Sequence, residues 1–243
     1  MEHAFLDKYA YQASPIHGLN PTGKLVATLA LVFATALLPV GATVALCVAW
    51  AIALVAYASA LLPARLLVTR LAMVAPFPLV ISVVYAFGFP PGSRLSLFSF
   101  FFLKSLACVA FLLTLISTTP FPDLLAALAR LRAPSIVLST LSFFYRYVFV
   151  LQDEFERSLR ARSLRARPNV HPLWQRSTFA MAGNIALRSF ERSERVFLAM
   201  KARGYDSSRT LVSRARISRT DGLVVAMALV GLVLIAYLAA AVR

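Results

Sequence analysis

Charge is scarce in this chain, and acid is scarcer than base. Of 243 residues only 14% are charged, and 10 Asp and Glu stand against 25 Lys and Arg, a formal net charge of +15. A soluble domain carries about 25% charged residues. With 60% hydrophobic residues and a mean hydropathy of +0.75, the chain reads as one whose solvent is lipid. Cysteine is nearly absent. Cys47 and Cys108 both sit in apolar runs without metal-type spacing, which excludes a disulfide framework and a structural zinc site. The phosphate-binding loop G-x-x-x-x-G-K-[ST] is missing, as are H-E-x-x-H, C-x-x-C and G-x-S-x-G, so the chain is not expected to hydrolyse ATP or to be an enzyme. His3, His17 and His171 are not paired at ligand spacing, and they read as surface or interface histidines rather than a metal site. Asp7 reads as a cap or a partner of Lys8 or Lys24. No expected span contains a carboxylate, which argues against an ion-conducting role. The first 20 residues hold Glu2, Asp7, Pro15 and Asn20 and lack the apolar core of a cleaved signal peptide.

What the sequence does have is long uncharged runs. Between Lys24 and Arg65 lie 40 residues without a charge, and one bilayer-crossing helix needs only about 20. Two spans are therefore expected, over residues 21–38 and 42–62, with Pro39 and Gly41 at the turn. Asn20 is placed to cap the first and Pro21 to open it, and Lys24 is expected to snorkel to the interface. A third uncharged stretch lies between Arg70 and Arg94, kinked or unwound at Pro76 and Pro78. A fourth covers 97–119, where Lys104 must snorkel or face protein, and the last covers 222–242. Residues 133–152 are apolar but carry Arg146 in their middle, and they read as partly embedded or packed against other helices. Five spans place 22 of the 25 basic residues on one side, whereas six would scatter them. The positive-inside rule favours five, with the N-terminus cytoplasmic and the C-terminus outside.

The expected organisation is then an all-α polytopic membrane protein in three parts. Residues 1–119 hold the N-terminal segment and four spans, 120–220 form a cytoplasmic helical region, and 221–243 form the last span. The middle region has 18 Lys and Arg against 7 Asp and Glu. Prolines divide it into one short helix, around Asp123 to Arg132, and two long ones, over 135–167 and 173–203. Asp153–Arg157 and Glu156–Arg160 support the first long helix at i,i+4 spacing. Ile185, Phe190, Val196, Phe197 and Met200 give the second an irregular apolar stripe, and Gly204 is a natural C-terminal cap. The basic residues have acidic neighbours at helical spacing and no base-reading motif accompanies them, so a nucleic-acid partner is not expected. Attraction to lipid headgroups is the ordinary use of such a segment.

Each long helix ends in a similar short sequence: Ala161-Arg162-Ser163 within SLRARSLRAR, and Ala202-Arg203-Gly204 within AMKARGYD. Small residues let a helix end approach a partner closely, and the arginine between them can offer its rigid fork to carboxylates or carbonyls. Together with HGLNPTGKL, STTPFPDLLAALARLRAPSIV, FFYRYVFVLQDEFERSLRARSLR and SFERSERVFLAMKARGY, these motifs resemble the transmembrane coupling component of energy-coupling-factor transporters, in the CbiQ family, over essentially the whole chain. The resemblance implies a non-catalytic scaffold in an ABC-type importer for cobalt, or in a closely similar nickel system and more distantly a vitamin system. It implies about five transmembrane helices with two long and one short cytoplasmic coupling helices, in a bacterial cytoplasmic membrane. The implied partners are two ATPase subunits and a substrate-binding membrane subunit of the CbiM type, with a small accessory membrane subunit as an optional member. No cofactor is implied on this chain, ATP being used by the partners. Carried over by position, Arg162 and Arg203 would dock into the ATPases, flanked by Ala161, Ser163, Ala202 and Gly204. The first motif departs from Ala-Arg-Gly by its serine.

Overall fold

The computed structural model describes residue 14, residues 18–88, 94–165 and 172–205, and residue 231. The expected last span, 222–242, lies outside the described residues apart from Gly231, as do His3, His17, His171 and Asp7. Among the described residues every regular element is a helix, and the chain divides into two compact units, one formed by residues 1–131 and 213–243, the other by residues 132–212.

The first unit is built on α1 (Pro21–Ala36), α2 (Thr43–Ser59), α3 (Ala64–Val74), α4 (Pro76–Phe87), α5 (Arg94–Thr118) and α6 (Phe121–Arg130). Asn20 caps α1 as its sequence suggests, its side chain accepting from the Thr22 N–H at 3.3 Å, with Pro21 at the first helical position. The turn to α2 passes through Gly41 at φ +97, a conformation that favours a residue without a Cβ. Proline acts at the third stretch too. α3 begins at Ala64, ahead of Arg70, and α3 and α4 meet at a 50° bend around Ala75, because Pro76 and Pro78 cannot donate to the ladder behind them. Two helices, Arg94–Thr118 and Ser135–Ala161, are long and apolar enough to cross a membrane, and the bent α3–α4 pair makes a third if it is one span. α1 and α2 are shorter apolar helices of 16 and 17 residues.

α5 is the centre of this unit, packed by α1, α2, α3 and α4, while α6 lies on α1. Ala42, Ala45, Ala49 and Ala53 recur at three- and four-residue spacing along α2 and share one core with Ala107, Ala110 and Phe111 of α5. Small residues at this spacing let helix backbones approach closely, which matters where lipid tails compete for every apolar contact. Gly231 fits the same logic, since a Cβ there would meet Ile52 at 3.2 Å.

Charged groups are drawn inward here. Lys24 does not snorkel: it is buried, and its Nζ donates to the Thr118 carbonyl at the end of α5 at 3.1 Å. That carbonyl belongs to the last turn of a helix, where no intrahelical donor remains. Lys104 faces protein, donating to the Leu38 carbonyl at 2.9 Å with the Phe101 ring 5.8 Å away. Arg70 reaches Ser117 Oγ at 3.1 Å, and Arg130 reaches Asn20 Oδ1 at 3.1 Å, so the residue that caps α1 also anchors the end of α6. Asp123 and Arg130 occupy the first and last turns of α6 as the helix dipole favours.

The second unit consists of α7 (Ser135–Arg165) and α8 (Pro172–Ala202), 31 residues each. Residues 133–152, ambiguous in sequence, begin one continuous helix whose Arg146 is exposed. The pair is antiparallel. Phe143, early in α7, packs on Tyr205 just past α8, their ring centroids 6.1 Å apart, whereas Ala161, late in α7, lines a cleft with Ala180 and Met181. The half-buried stripe of α8 runs through Met181, Ile185, Ser189, Arg192, Val196 and Met200, at helical spacing. This corrects the expected stripe. Ile185, Val196 and Met200 belong to it, but Phe190 and Phe197 are 66% and 64% exposed and join Leu187 and Leu198 in a second apolar strip. An apolar strip left bare on this scale marks a surface meant for lipid or protein.

Candidate docking ends of the two long helices

The second motif is built by a helix ending. α8 gives way after Ala202, and Arg203 takes the half-helical position, its N–H donating to the Ala199 and Met200 carbonyls at 3.2 and 3.1 Å. Gly204 follows at φ +69, its N–H donating to the Lys201 carbonyl at 3.0 Å, and the Tyr205 N–H returns to the Met200 carbonyl at 3.0 Å. These last two bonds are the pair that defines a Schellman ending, in which the residue after the helix adopts a left-handed conformation. The glycine is there because a Cβ disfavours that conformation by about 1–2 kcal/mol. The ending has its usual apolar seal, since Tyr205 folds back on Phe143 and lines one cleft with Met200. Arg203 is held at an exposed chain reversal whose backbone is fully specified.

The first motif is different. Ala161, Arg162 and Ser163 lie inside the closing turns of α7, which continues to Arg165. Ser163 is helical, and its Oγ donates to the Arg160 carbonyl at 2.8 Å. No left-handed residue is needed, so serine replaces glycine without backbone strain. Ala161 and Ser163 are exposed, while the Arg162 side chain lies outside the described residues. Just before it, Arg160 pairs with Glu156 at 3.5 Å, and Arg157 Nε donates to the Asp153 carbonyl at 3.2 Å. Both pairs expected at i,i+4 thus make contact, the second through the backbone.

The structure does not bring the two motifs together. Because the helices are antiparallel, Ala202-Arg203-Gly204 lies level with Phe143, while Ala161 lies eighteen residues further along α7. At a rise of about 1.5 Å per residue this sets the two ends about 27 Å apart along α7. They are two separate feet on one frame rather than a single site. Groups of three or more metal-ligating side chains are absent among the described residues.

Sequence reasoning missed the residues that hold the frame. Glu154 of α7 meets Arg192 of α8 at 3.0 Å and Arg188 at 3.8 Å. A signal was present, for Arg192 sits on the same helical stripe as Ile185, Val196 and Met200, and a charge on a packing stripe needs a partner across it.

The sequence profile of a family described as Cobalt transport protein, CbiQ, matches residues 12–213. Nickel permease LarQ of Lactiplantibacillus plantarum is 36% identical over 90 residues, 37% of this chain and 32% of that protein. Cobalt transport protein CbiQ of Rhodobacter capsulatus is 29% identical over 99 residues, 41% of each chain. A fused cobalt transport protein CbiMQ, so described in Methanocorpusculum labreanum, is 29% identical over 104 residues, 43% of this chain and 17% of that protein. The matched segments span less than half the length of each of these three relatives.

Proposed function

Since the chain belongs to the CbiQ family of cobalt transport proteins, we propose that it is the membrane-embedded coupling subunit of an ATP-driven cobalt importer of the energy-coupling-factor type. It is a helical membrane protein by its apolar helices and its family. In the proposed role it is non-catalytic and binds no cofactor, two ATPase subunits supplying the hydrolysis that its own sequence has no loop to perform. Arg203 docks one ATPase and Arg162 the other, each flanked by the small residues Ala202 and Gly204 or Ala161 and Ser163. The observation that carries this reading is the antiparallel pair itself. It presents the two arginine motifs about 27 Å apart along α7 on one frame, which suits two copies of a partner better than one.

ATP-driven closure of the ATPases would tilt the two helices. The tilt would reach a CbiM-type substrate-binding subunit through the apolar faces of the same helices, including the exposed strip of Leu187, Phe190, Phe197 and Leu198. A relative described as a fused CbiMQ protein supports that partner, and a small accessory membrane subunit can complete the complex. Placement follows the charge: five spans in a bacterial cytoplasmic membrane, the N-terminus and residues 120–220 cytoplasmic and the C-terminus outside, with α3 and α4 together as one broken span. The same role in a nickel importer is the second reading, favoured by the likeness to nickel permease LarQ.

Arg162→Glu combined with Arg203→Glu tests the assignment. The expected result is loss of ATPase co-purification with the chain still inserted in the membrane. A complex that assembles and transports normally with both charges reversed would show that these arginines do not dock.

A further inference from the structure

The charged contact between α7 and α8 has a geometry that a merely adhesive salt bridge does not need. Glu154 points one carboxylate oxygen at Arg192 Nη2, 3.0 Å away, and the other at Arg188 Nη1, 3.8 Å away. The Glu154 side chain is 14% exposed, and those of Arg192 and Arg188 are 35% and 66% exposed. A charge-assisted bond partly withdrawn from water holds more firmly than a surface ion pair. On either side of this contact a cleft opens between the helices. Toward the end of α7 lies a cleft of about 610 Å³ bordered by Arg157, Ala161 and Asn184. Toward the end of α8 lies one of about 690 Å³ bordered by Phe143, Leu151, Val196 and Met200. Arg192 borders both. Two stiff rods joined by this ion pair, with open space on both sides of it, can change their angle without losing the ion pair once the Phe143–Tyr205 ring contact at the far edge of one cleft gives way.

Two details indicate that the joint tolerates movement. Arg188 and Arg192 are one helical turn apart on α8, so the carboxylate has a second seat one turn away, the kind of step by which packed helices shift. Arg192 also keeps one buried nitrogen, Nη1, without a hydrogen-bond partner among the described residues, a donor free to take up an acceptor as the angle changes. We propose that Glu154 is the positioning residue that pins α7 to α8, seated on Arg192 with Arg188 as the alternate seat, and that motion imposed at the docking ends is transmitted as rotation about this point. The inference rests on the coupling role above and assigns where within it the pivot lies.

In the complete transporter reconstituted in proteoliposomes, Glu154→Gln keeps the shape and removes the charge. ATP hydrolysis is expected to continue near the parental rate while cobalt accumulated per ATP falls at least fivefold. Arg192→Gln behaves alike and Arg188→Gln loses less, while the exchanged pair Glu154→Arg with Arg192→Glu recovers at least half of the parental ratio. An unchanged ratio in Glu154→Gln, a larger loss from Arg188 than from Arg192, or an exchanged pair no better than its single variants overturns the proposal. If Glu154→Gln does not assemble, Arg192→Lys keeps the charge but loses the fork, and carries the same test with a smaller drop.

Spin labels at the exposed Leu164 and Leu198, in the full chain with Cys47→Ser and Cys108→Ser, report the joint without any partner. The distance distribution is expected to be narrow in the parent, broad in Glu154→Gln and narrow again in the exchanged pair. Equal widths in all three overturn the pivot. A parent without ATP-dependent uptake, but with the broadening present, overturns the coupling role and leaves the pivot standing.

Discussion

The two units of the molecule solve opposite problems with similar helices. In the first, 33% of the most apolar stretch of α5 is buried inside the protein; in α7 the corresponding share is 6%. Lys24, Arg70, Lys104 and Arg130 of the first unit each donate to a named carbonyl or side-chain oxygen far away in the chain. The second unit has one buried apolar residue among those described, Leu138, and is joined by the Glu154 contact and the Tyr205–Phe143 seal. A region that locks its charges inside a close-packed alanine seam is built to keep its shape. A region that leaves its apolar faces bare and joins its rods by an ion pair and a ring contact is built to be moved by others.

Overpacking is the strongest way to break that contrast. Ala107 is fully buried at the α5 seam, and Ala107→Leu is expected to cost about 1–3 kcal/mol, since a close-packed site cannot absorb the added volume. Ala199→Leu makes the same chemical change on an exposed face of α8 and is expected to stay within about 0.5 kcal/mol. Thermal unfolding in detergent measures both, and equal losses would erase the distinction between the units.

A smaller effect separates the two motifs. Gly204→Ala places a Cβ on a residue at φ +69 and should cost about 1–2 kcal/mol at the end of α8. Ser163→Ala sits in regular helix and should change stability by less than about 0.5 kcal/mol. Backbone hydrogen exchange around residues 199–205 and 159–165 reads the two ends separately. Comparable loosening at both would mean that the motifs share one backbone design after all.

Punctuation and periodicity were what the sequence made legible. Asn20 and Pro21, Pro39 and Gly41, the proline pair of the third stretch, and Gly204 each mark a local backbone requirement. Each acts within a few residues, so the structure places helix starts, turns and the bend where those residues stand. Partners far apart in the chain were not legible. Lys24 looked free to reach water because its acceptor, the Thr118 carbonyl, is 94 residues away. Phe190 and Phe197 looked like part of one packing stripe because periodicity reports that a face is apolar, not which neighbour covers it. Glu154 drew no attention because its partners lie on the other long helix. At the docking ends, the sequence showed two arginines between small residues but not why one motif ends in glycine and the other in serine. That difference is a matter of φ: one motif reverses the chain and the other stays inside a helix.

The central claim is that the frame offers its two arginine ends to two ATPase subunits. A photo-crosslinking residue placed at Ala161 or at Ala202, each in the assembled transporter under ATP-free conditions, tests it most directly. The account predicts an adduct with an ATPase subunit from each position, and a species carrying two ATPases when both positions are labelled. Adducts formed solely with lipid or with a membrane partner from both positions would contradict it.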